Sequence, residues 1–254
     1  MIQRMLLAAI IAATLASFGP PLARAAPARQ SACHVWVYYM GFWTGTAGDA
    51  PLRGAYSPSD PSVVAAQIDE ARSAGVEAFV VDWFGAGSWG EGSALRNVLD
   101  RAAERGFMAG AAIDSFEGRN NVDRGSMTAS LRLLVDEIVH HPAYLRYQGK
   151  PVIFFAFQQH ASISDGEWQA IRSEVDPGRS TIWVVEGTKH CRLCGTADGM
   201  YAFNMAWSDG KSWFYTRDRD VVRSSGGWFY VPTVNPGWDE SAIGGRPNPT
   251  GPRG

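Results

Sequence analysis

A complete helix and a complete buried strand follow one another in residues 57–84, SPSDPSVVAAQIDEARSAGVEAFVVDWF. Asp60 can cap the start of the helix, and Gly75 can supply the left-handed residue that follows its end. The run 78–81 is apolar and rich in strand formers, as expected of a parallel strand covered on both faces. Asp82 stands where this strand runs out, which is the end where parallel α/β folds bind ligands.

The same helix-and-strand unit recurs along the chain. Further strand-like runs occur at residues 35–40, 107–113, 151–157, 181–185, 199–203 and 228–234. Helical patterns separate most of them, although the pattern at 208–225 is poor and allows only a short helix. This alternation predicts a parallel α/β fold with right-handed connections. We predict a (β/α)8 TIM-barrel-like fold, incomplete because seven strands are readable. A doubly wound sheet is the alternative, but residues 85–87 lack the glycine pattern of a dinucleotide site.

The first 25 residues have the features of a secretory signal. Arg4 precedes an apolar core at 5–18, and Ala23-Arg24-Ala25 supplies a small-residue cleavage pattern. An uncleaved membrane anchor is the less favoured alternative, because a membrane span needs about 20 apolar residues. We therefore predict a secreted or periplasmic protein with no membrane association after cleavage. Its predicted parts are a signal peptide at 1–25, a barrel domain at 26–240 and a Gly/Pro-rich tail at 241–254.

Charge and cysteine content argue against several classes of partner and cofactor. The formal net charge is −2, and removal of the signal would take away two arginines and no acid, so nucleic acid is not an expected partner. In an exported protein, the three cysteines Cys33, Cys191 and Cys194 suggest a disulfide whose pairing stays open. A single CxxC is weak evidence for a zinc or redox site. We predict neither a metal nor a cofactor.

Carboxylic acids stand at the ends of several predicted strands. Asp82, Asp114 and Glu186 are the predicted catalytic residues. Glycoside hydrolysis needs two carboxyl groups, about 5 Å apart for a direct nucleophile and ~6.5–9.5 Å apart when water attacks. Asp82 and Asp114 come from adjacent strands, whose axes lie about 5 Å apart, so both can face one barrel mouth. Alternatively, Asp82 pairs with Arg119 or caps a loop, and Glu186 bonds to backbone near Thr188.

Aromatic residues also gather at the predicted strand ends. Any one tryptophan is by default a packing residue, but several on one rim suit the flat faces of sugar rings. The aromatic candidates for substrate binding are Tyr39, Trp43, Trp83, Trp207 and Trp238. Asn204, which follows the run 199–203, is a polar candidate. The sequence has no Ser-His-Asp order, phosphate loop or HExxH motif, which argues against serine hydrolases, nucleotide-binding proteins and zinc proteases.

Motifs that cover most of the mature chain resemble a known family. They are Tyr38-Tyr39-Met40-Gly41-Phe42-Trp43, then residues 56–61, 74–85 and 113–119, then 141–147 with 149–154, and finally 232–239. In this order they resemble glycoside hydrolase family 99, the endo-α-mannosidase-like barrels, and family 71 α-glucanases are similar in outline. The resemblance implies a barrel whose partner is an oligosaccharide or polysaccharide. Tyr56 and Arg119 lie within these motifs and complete the predicted substrate-binding set.

Two departures from the family pattern affect the predicted activity. The family has two glutamates three residues apart in an Asn-Glu-Trp-x-Glu run after the eighth strand, and this sequence contains no such run. The family's supporting glutamate on the third strand corresponds to Asp114, which is one methylene shorter. We predict an exported glycoside-hydrolase-like protein that acts on or binds α-linked glycans.

The departures also leave alternatives open. A non-catalytic glycan-binding barrel or a truncated, degenerate one is the main alternative, and a third possibility is that the 254 residues belong to a longer gene. For the chain as given, we expect binding of α-linked mannose or glucose oligosaccharides without measurable turnover.

Overall fold

The computed structural model describes residues 34–41, 57, 59–86, 93–115, 122–187, 193, 195–203 and 212–235. Several predictions lie outside the described residues. They concern the signal peptide, the tail, the three cysteines, Trp43, Tyr56, Arg119, Asn204, Trp207 and Trp238. In the described part of the chain, none of the helices is both long enough and apolar enough to cross a membrane.

Seven parallel strands form one sheet, in the order β1-β2-β3-β5-β6-β7-β8. Their bounds are β1 (Trp36–Tyr39), β2 (Ala78–Trp83), β3 (Met108–Asp114), β5 (Lys150–Ala156), β6 (Ile182–Glu186), β7 (Gly199–Tyr201) and β8 (Phe229–Val231). All seven predicted strands are therefore present. A two-residue strand that was not predicted, β4 (Arg146–Tyr147), pairs antiparallel with the start of β5.

Five α-helices connect these strands in the described residues, and their ends follow local sequence signals. They are α1 (Pro61–Ser73), α2 (Ser93–Arg105), α3 (Arg124–Asp136), α4 (Asp165–Val175) and α5 (Ser212–Ser224). The Asp60 carboxylate accepts the backbone N–H of Ser62 and caps α1, as predicted. Gly75 follows α1 with a φ of 83°, a conformation that glycine adopts without steric cost.

One helix carries a short extension of another type, and one differs from its prediction. α3 ends at Asp136, and a short 3-10 helix over Ile138–His140 follows it. α5 is a full helix of 13 residues where only a short one was expected. Its buried positions include Asp218 and Val222, which share one face at i and i+4 spacing. The apolar pattern was poor because one of these inward positions is an aspartate.

The two faces of the sheet bury separate apolar clusters. Odd-numbered β2 residues such as Phe79 and Val81 pack in a cluster with the helices. Even-numbered residues such as Val80 belong to a second cluster with side chains from β3, β5, β6, β7 and β8. Trp36 of β1 stacks against Phe229 of β8, with ring centroids 6.3 Å apart. The sheet thus curls until its first and last strands touch through side chains, which confirms the predicted barrel-like fold.

Candidate functional site

The three predicted catalytic carboxylates lie at the carboxyl ends of β2, β3 and β6. Side chains two residues apart on a strand share a face. Asp82 follows Val80 by two residues, and Asp114 and Glu186 stand in the same relation to Ala112 and Val184 of the inner cluster. All three carboxylates therefore line the inner face of the curled sheet. Each of the three residues is only 6% exposed.

Two tyrosines lie among these carboxylates. The Tyr38 hydroxyl donates to Asp82 Oδ1 at 2.8 Å. Burial raises the pKa of Tyr38 well above its usual value, and Tyr201 and the charges of Asp82 and Asp114 raise it further. Burial likewise raises the pKa of Tyr201, followed by the charges of Glu186, Asp82 and Asp114. All three carboxylates therefore lie close enough to Tyr201 for their charges to act on its hydroxyl.

Glu186 is held by the turn that follows β5. The backbone N–H of Phe157 donates to Glu186 Oε2 at 2.8 Å, from a left-handed conformation with a φ of 54°. The Gln158 carboxamide donates to the Glu186 carbonyl oxygen and accepts the Glu186 backbone N–H, the latter at 3.2 Å. Burial raises the pKa of Glu186, and this effect outweighs the opposing bonds from Phe157 and Gln159. Glu186 thus keeps its proton to a higher pH than an exposed glutamate.

Two predicted substrate-binding residues lie on the other face of the sheet. The Tyr39 hydroxyl donates to Gln67 Oε1 of α1 at 2.7 Å, and its ring stacks on Phe79 at 4.6 Å. Trp83 is buried in the cluster between sheet and helices. The structure therefore does not bring Tyr39 or Trp83 to the carboxylates, because strand alternation directs odd-numbered side chains of β1 and β2 toward the helices.

Sequence reasoning missed Tyr38, Tyr201 and Gln158. Strand alternation contained the signal for Tyr38, because it pairs in register with Val80, which shares a face with Asp82. Gln158 follows the predicted strand 151–157, but nothing local indicates that its partner is the backbone of β6. Within the described ranges, no group of three or more His, Cys, Asp or Glu side chains is placed to hold a metal ion. The carboxylates and hydroxyls of these residues can donate and accept hydrogen bonds and can transfer protons.

A family model described as Glycosyl hydrolase family 99 matches residues 46–250. The chain belongs to this family. The resemblance seen in the motifs is thereby confirmed, and so is the endo-α-mannosidase-like character of the family assignment. In this family 99 barrel, the carboxylates lie at the carboxyl ends of the strands. Barrel enzymes carry their active sites at this end.

Curated relatives share modest sequence identity with this family 99 chain. It is 24% identical over 213 residues to the glycoprotein endo-alpha-1,2-mannosidase of Xenopus laevis, covering 76% of this chain and 47% of that protein. The Mus musculus protein of the same name is 21% identical over 213 residues, covering 76% of this chain and 46% of the relative. The chain thus spans about half the length of the curated relatives it matches.

Solved structures share the fold. A family 99 endo-α-mannosidase from Bacteroides thetaiotaomicron, in complex with bis-tris propane, superposes with a TM-score of 0.71 at 21% identity. That match covers 87% of this chain and 75% of the other. A second structure of the endo-α-mannosidase from this organism gives a TM-score of 0.69 at 20% identity, covering 87% and 76% of the two chains. These similarities support a barrel fold for the family 99 chain.

Proposed function

We propose that this family 99 barrel binds an α-linked, mannose-containing oligosaccharide where Asp82, Asp114 and Glu186 converge, as an endo-α-mannosidase-like glycoside hydrolase. The observation that carries the proposal is that three buried carboxylates, at the carboxyl ends of three strands, all line the inner face of the barrel on the same side as Tyr201. The relatives are glycoprotein endo-alpha-1,2-mannosidases, and their name suggests the linkage. The family assignment gives the reaction class.

Buried carboxylates suit a sugar because each can accept two or more hydroxyl hydrogen bonds, and bonds to a charged acceptor are roughly twice as strong as neutral ones. The Tyr201 hydroxyl is buried and has no hydrogen-bond partner among the described residues. A sugar hydroxyl would satisfy it, since buried polar atoms rarely stay unpaired. Tyr201 therefore belongs to the proposed site.

The carboxylates differ in their surroundings, and acid and base roles need such a difference. Glu186, with its raised pKa, is proposed as the group that is protonated and donates a hydrogen bond or a proton. Asp82 accepts a hydrogen bond from Tyr38 and is proposed as the ionised partner that orients sugar hydroxyls. Asp114 lies near enough to both tyrosines to influence their pKa values and is proposed to contact the bound sugar.

Titration calorimetry with α-1,2-mannobiose tests the binding proposal. We expect the purified chain to bind α-1,2-mannobiose and not the β-linked disaccharide cellobiose. Asp114→Asn and Tyr201→Phe should each weaken binding at least tenfold. Asp69→Asn is the matched control, because Asp69 is an exposed carboxylate on α1, and it should bind like the parent protein. Failure of the folded protein to bind α-1,2-mannobiose, or equal binding of cellobiose, would refute the proposal.

Chromatography of the same samples after incubation reports turnover. Cleavage that is abolished by Asp114→Asn would mean that the carboxylates Asp82, Asp114 and Glu186 form an active hydrolase site. Binding without cleavage would favour the glycan-binding alternative, in which Asp114 is one methylene too short for catalysis. We further propose that the protein acts outside the cytoplasm, and amino-terminal sequencing of the mature protein, with a start at or near Ala26, tests this.

A further inference from the structure

A cavity of about 400 Å³ lies at the amino-terminal end of the sheet, opposite the carboxylate cluster. We propose that it binds a sugar ring carrying a negatively charged group, a phosphate or a carboxylate. The proposal stands apart from the proposed function, because it uses other residues at the other end of the strands. The lining includes the first residue of β5, the start of β6 and the segments that precede β7 and β8; the residues used below are Lys150, Arg179, Gly195, Asp198 and Trp228.

Two cationic side chains face this cavity. Lys150 Nζ donates to the Arg179 carbonyl oxygen at 3.0 Å. The Arg179 side chain is 54% exposed, and its ion pair with Asp198 is long, at 3.5 Å. A guanidinium has five N–H donors and an ammonium has three, so both groups keep donors that a ligand can use. The two side chains can therefore bind the oxygens of one anionic group.

The segment that carries Arg179 is fixed in place. Arg179 has a φ of 47°, in the left-handed region. The Asp176 carboxylate accepts the backbone N–H of Ser180 at 2.7 Å and that of Thr181 at 3.1 Å. It also accepts both of their hydroxyls. These bonds hold the backbone of the turn in shape, so only the Arg179 side chain would have to be ordered when a ligand binds.

The carboxylate in the cavity lining, Asp198, is already paired with a buried arginine on the side away from the cavity. Asp198 Oδ2 accepts a bond from the buried Arg172 at 3.0 Å and from the Trp183 backbone N–H at 2.8 Å. Arg172 also lies 3.4 Å from Asp176. Among the residues that line the cavity, two cations, Lys150 and Arg179, accompany one carboxylate, Asp198, so the lining carries one positive charge in excess. An anionic ligand would balance this excess.

Trp228 gives the cavity its preference for a ring. It is 54% exposed, while one side of it packs against Phe229 with ring centroids 5.3 Å apart. An exposed, supported indole offers the flat apolar surface that sugar rings stack on. Gly195 leaves room, since a Cβ there would have no neighbour within 4 Å. A cavity of this volume is within the usual range for small-molecule sites, about 300–1,000 Å³.

Tryptophan fluorescence and calorimetry with four probes test this site: mannose 6-phosphate, glucuronate, mannose and inorganic phosphate. We expect the two anionic sugars to bind, and mannose and phosphate to bind at least tenfold more weakly. Lys150→Gln and Arg179→Gln should each weaken binding of the anionic sugars at least fivefold, and Trp228→Ala at least tenfold. Trp213→Ala is the matched control, because Trp213 is 55% exposed on α5 and lines no part of the cavity, and it should change nothing.

Gly195→Tyr supplies a variant that fills the cavity without altering a strand. It should abolish binding of mannose 6-phosphate while α-1,2-mannobiose binding and the thermal melting temperature stay unchanged. Equal affinity for mannose and mannose 6-phosphate, or binding of phosphate alone that is insensitive to Trp228→Ala, would overturn the inference. If the parent protein bound mannose 6-phosphate but not α-1,2-mannobiose, the proposed function would be refuted and the inference about this cavity would still hold.

Discussion

Neighbouring tyrosines on β1 have different surroundings, and this difference shows how single residues are assigned to the site. Tyr38 points inward and donates to the buried carboxylate of Asp82 at 2.8 Å. Tyr39 points toward α1 and donates to the neutral Gln67 at 2.7 Å. A hydrogen bond to a charged acceptor contributes about 1.5–3 kcal/mol, whereas a neutral one contributes about 0.5–1.5 kcal/mol. The two hydroxyls should therefore differ in how much they stabilise the fold and in whether they support the proposed site.

Tyr38→Phe is expected to lower the free energy of unfolding by about 1.5–3 kcal/mol, because Asp82 loses a charge-assisted bond. It should also weaken α-1,2-mannobiose binding, since the orientation of Asp82 is no longer fixed. Tyr39→Phe should cost about 0.5–1.5 kcal/mol and leave binding as it was. Urea unfolding and calorimetry on both variants make the comparison. Equal losses of binding would instead support the sequence-based assignment of Tyr39 to the substrate site.

The raised pKa of Glu186 predicts a pH dependence of stability. In the unfolded chain, this glutamate loses its proton near its ordinary pKa of 4.5, whereas in the folded chain it keeps the proton to a higher pH. The folded state therefore binds more protons in this window, and the contribution of Glu186 to stability falls as pH rises from about 4.5 through its folded pKa.

Glu186→Gln removes this titration while keeping an oxygen that can accept the Phe157 N–H. Relative to the parent, the variant should become more stable, with a larger free energy of unfolding, as pH rises from 4.5 to 8. Chemical unfolding at a series of pH values measures the difference, with Glu104→Gln, an exposed residue on α2, as the control. A relative stability that falls with rising pH would show that the folded protein stabilises the ionised form of Glu186.

At the scale of elements, side chains extend the pairing between β5 and β6 beyond the strand ends. The Gln158 carboxamide bonds to both the N–H and the carbonyl of Glu186, as a neighbouring strand would. Gln158 is 4% exposed, so water cannot easily replace these bonds. The result is that Glu186 is oriented by β5 as well as by its own strand.

Gln158→Ala should lower the free energy of unfolding by about 2 kcal/mol or more, because it leaves two buried backbone groups of Glu186 with one partner fewer each. It should weaken α-1,2-mannobiose binding as well. Gln169→Ala on the exposed side of α4 is the control and should stay within about 0.5 kcal/mol of the parent. Urea unfolding gives both values. A Gln158→Ala variant as stable as the control would mean that Gln158 does not fix Glu186.

The elements also show what the sequence alone can predict. Capping residues and apolar runs identified α1 and all seven parallel strands, because these signals are local. The full length of α5 was missed because its buried face includes Asp218. Alternation along β2 places Val80 on the same face as Asp82. Because Tyr38 pairs with Val80 and Tyr39 pairs with Val81, only Tyr38 lies on that face. The place of Gln158 could not be predicted, since it depends on how two strand ends lie in space.

At the scale of the whole molecule, the curl of the sheet brings distant strands together. Tyr201 of β7 helps to raise the pKa of Tyr38 of β1, although the two residues are 163 positions apart in the sequence. Trp36 and Phe229 likewise connect the amino-terminal ends of β1 and β8. Local sequence patterns place an acid or a tyrosine on each of these strands, but only the curvature of the sheet brings these residues together at one site.

Gly199 tests whether this curvature supports the site. A Cβ at Gly199 would collide with the Phe229 backbone, so Gly199→Ala must push β7 and β8 apart. We expect a loss of about 3 kcal/mol or more in unfolding free energy, at the upper end of the cost of overpacking. Tyr201 lies two residues further along β7, so mannobiose binding should weaken in parallel.

Gly166→Ala is the control for this substitution, because a Cβ in the first turn of α4 meets no atom within 4 Å, and it should change stability by at most about 1 kcal/mol. Urea unfolding, near-ultraviolet circular dichroism and calorimetry follow stability, aromatic packing and binding in the same samples. If Gly199→Ala lost stability but bound mannobiose at full affinity, the tyrosine on β7 would not be part of the sugar site. The carboxylates on β2, β3 and β6 would then have to bind the sugar without Tyr201, and the proposed site would shrink to that side of the barrel.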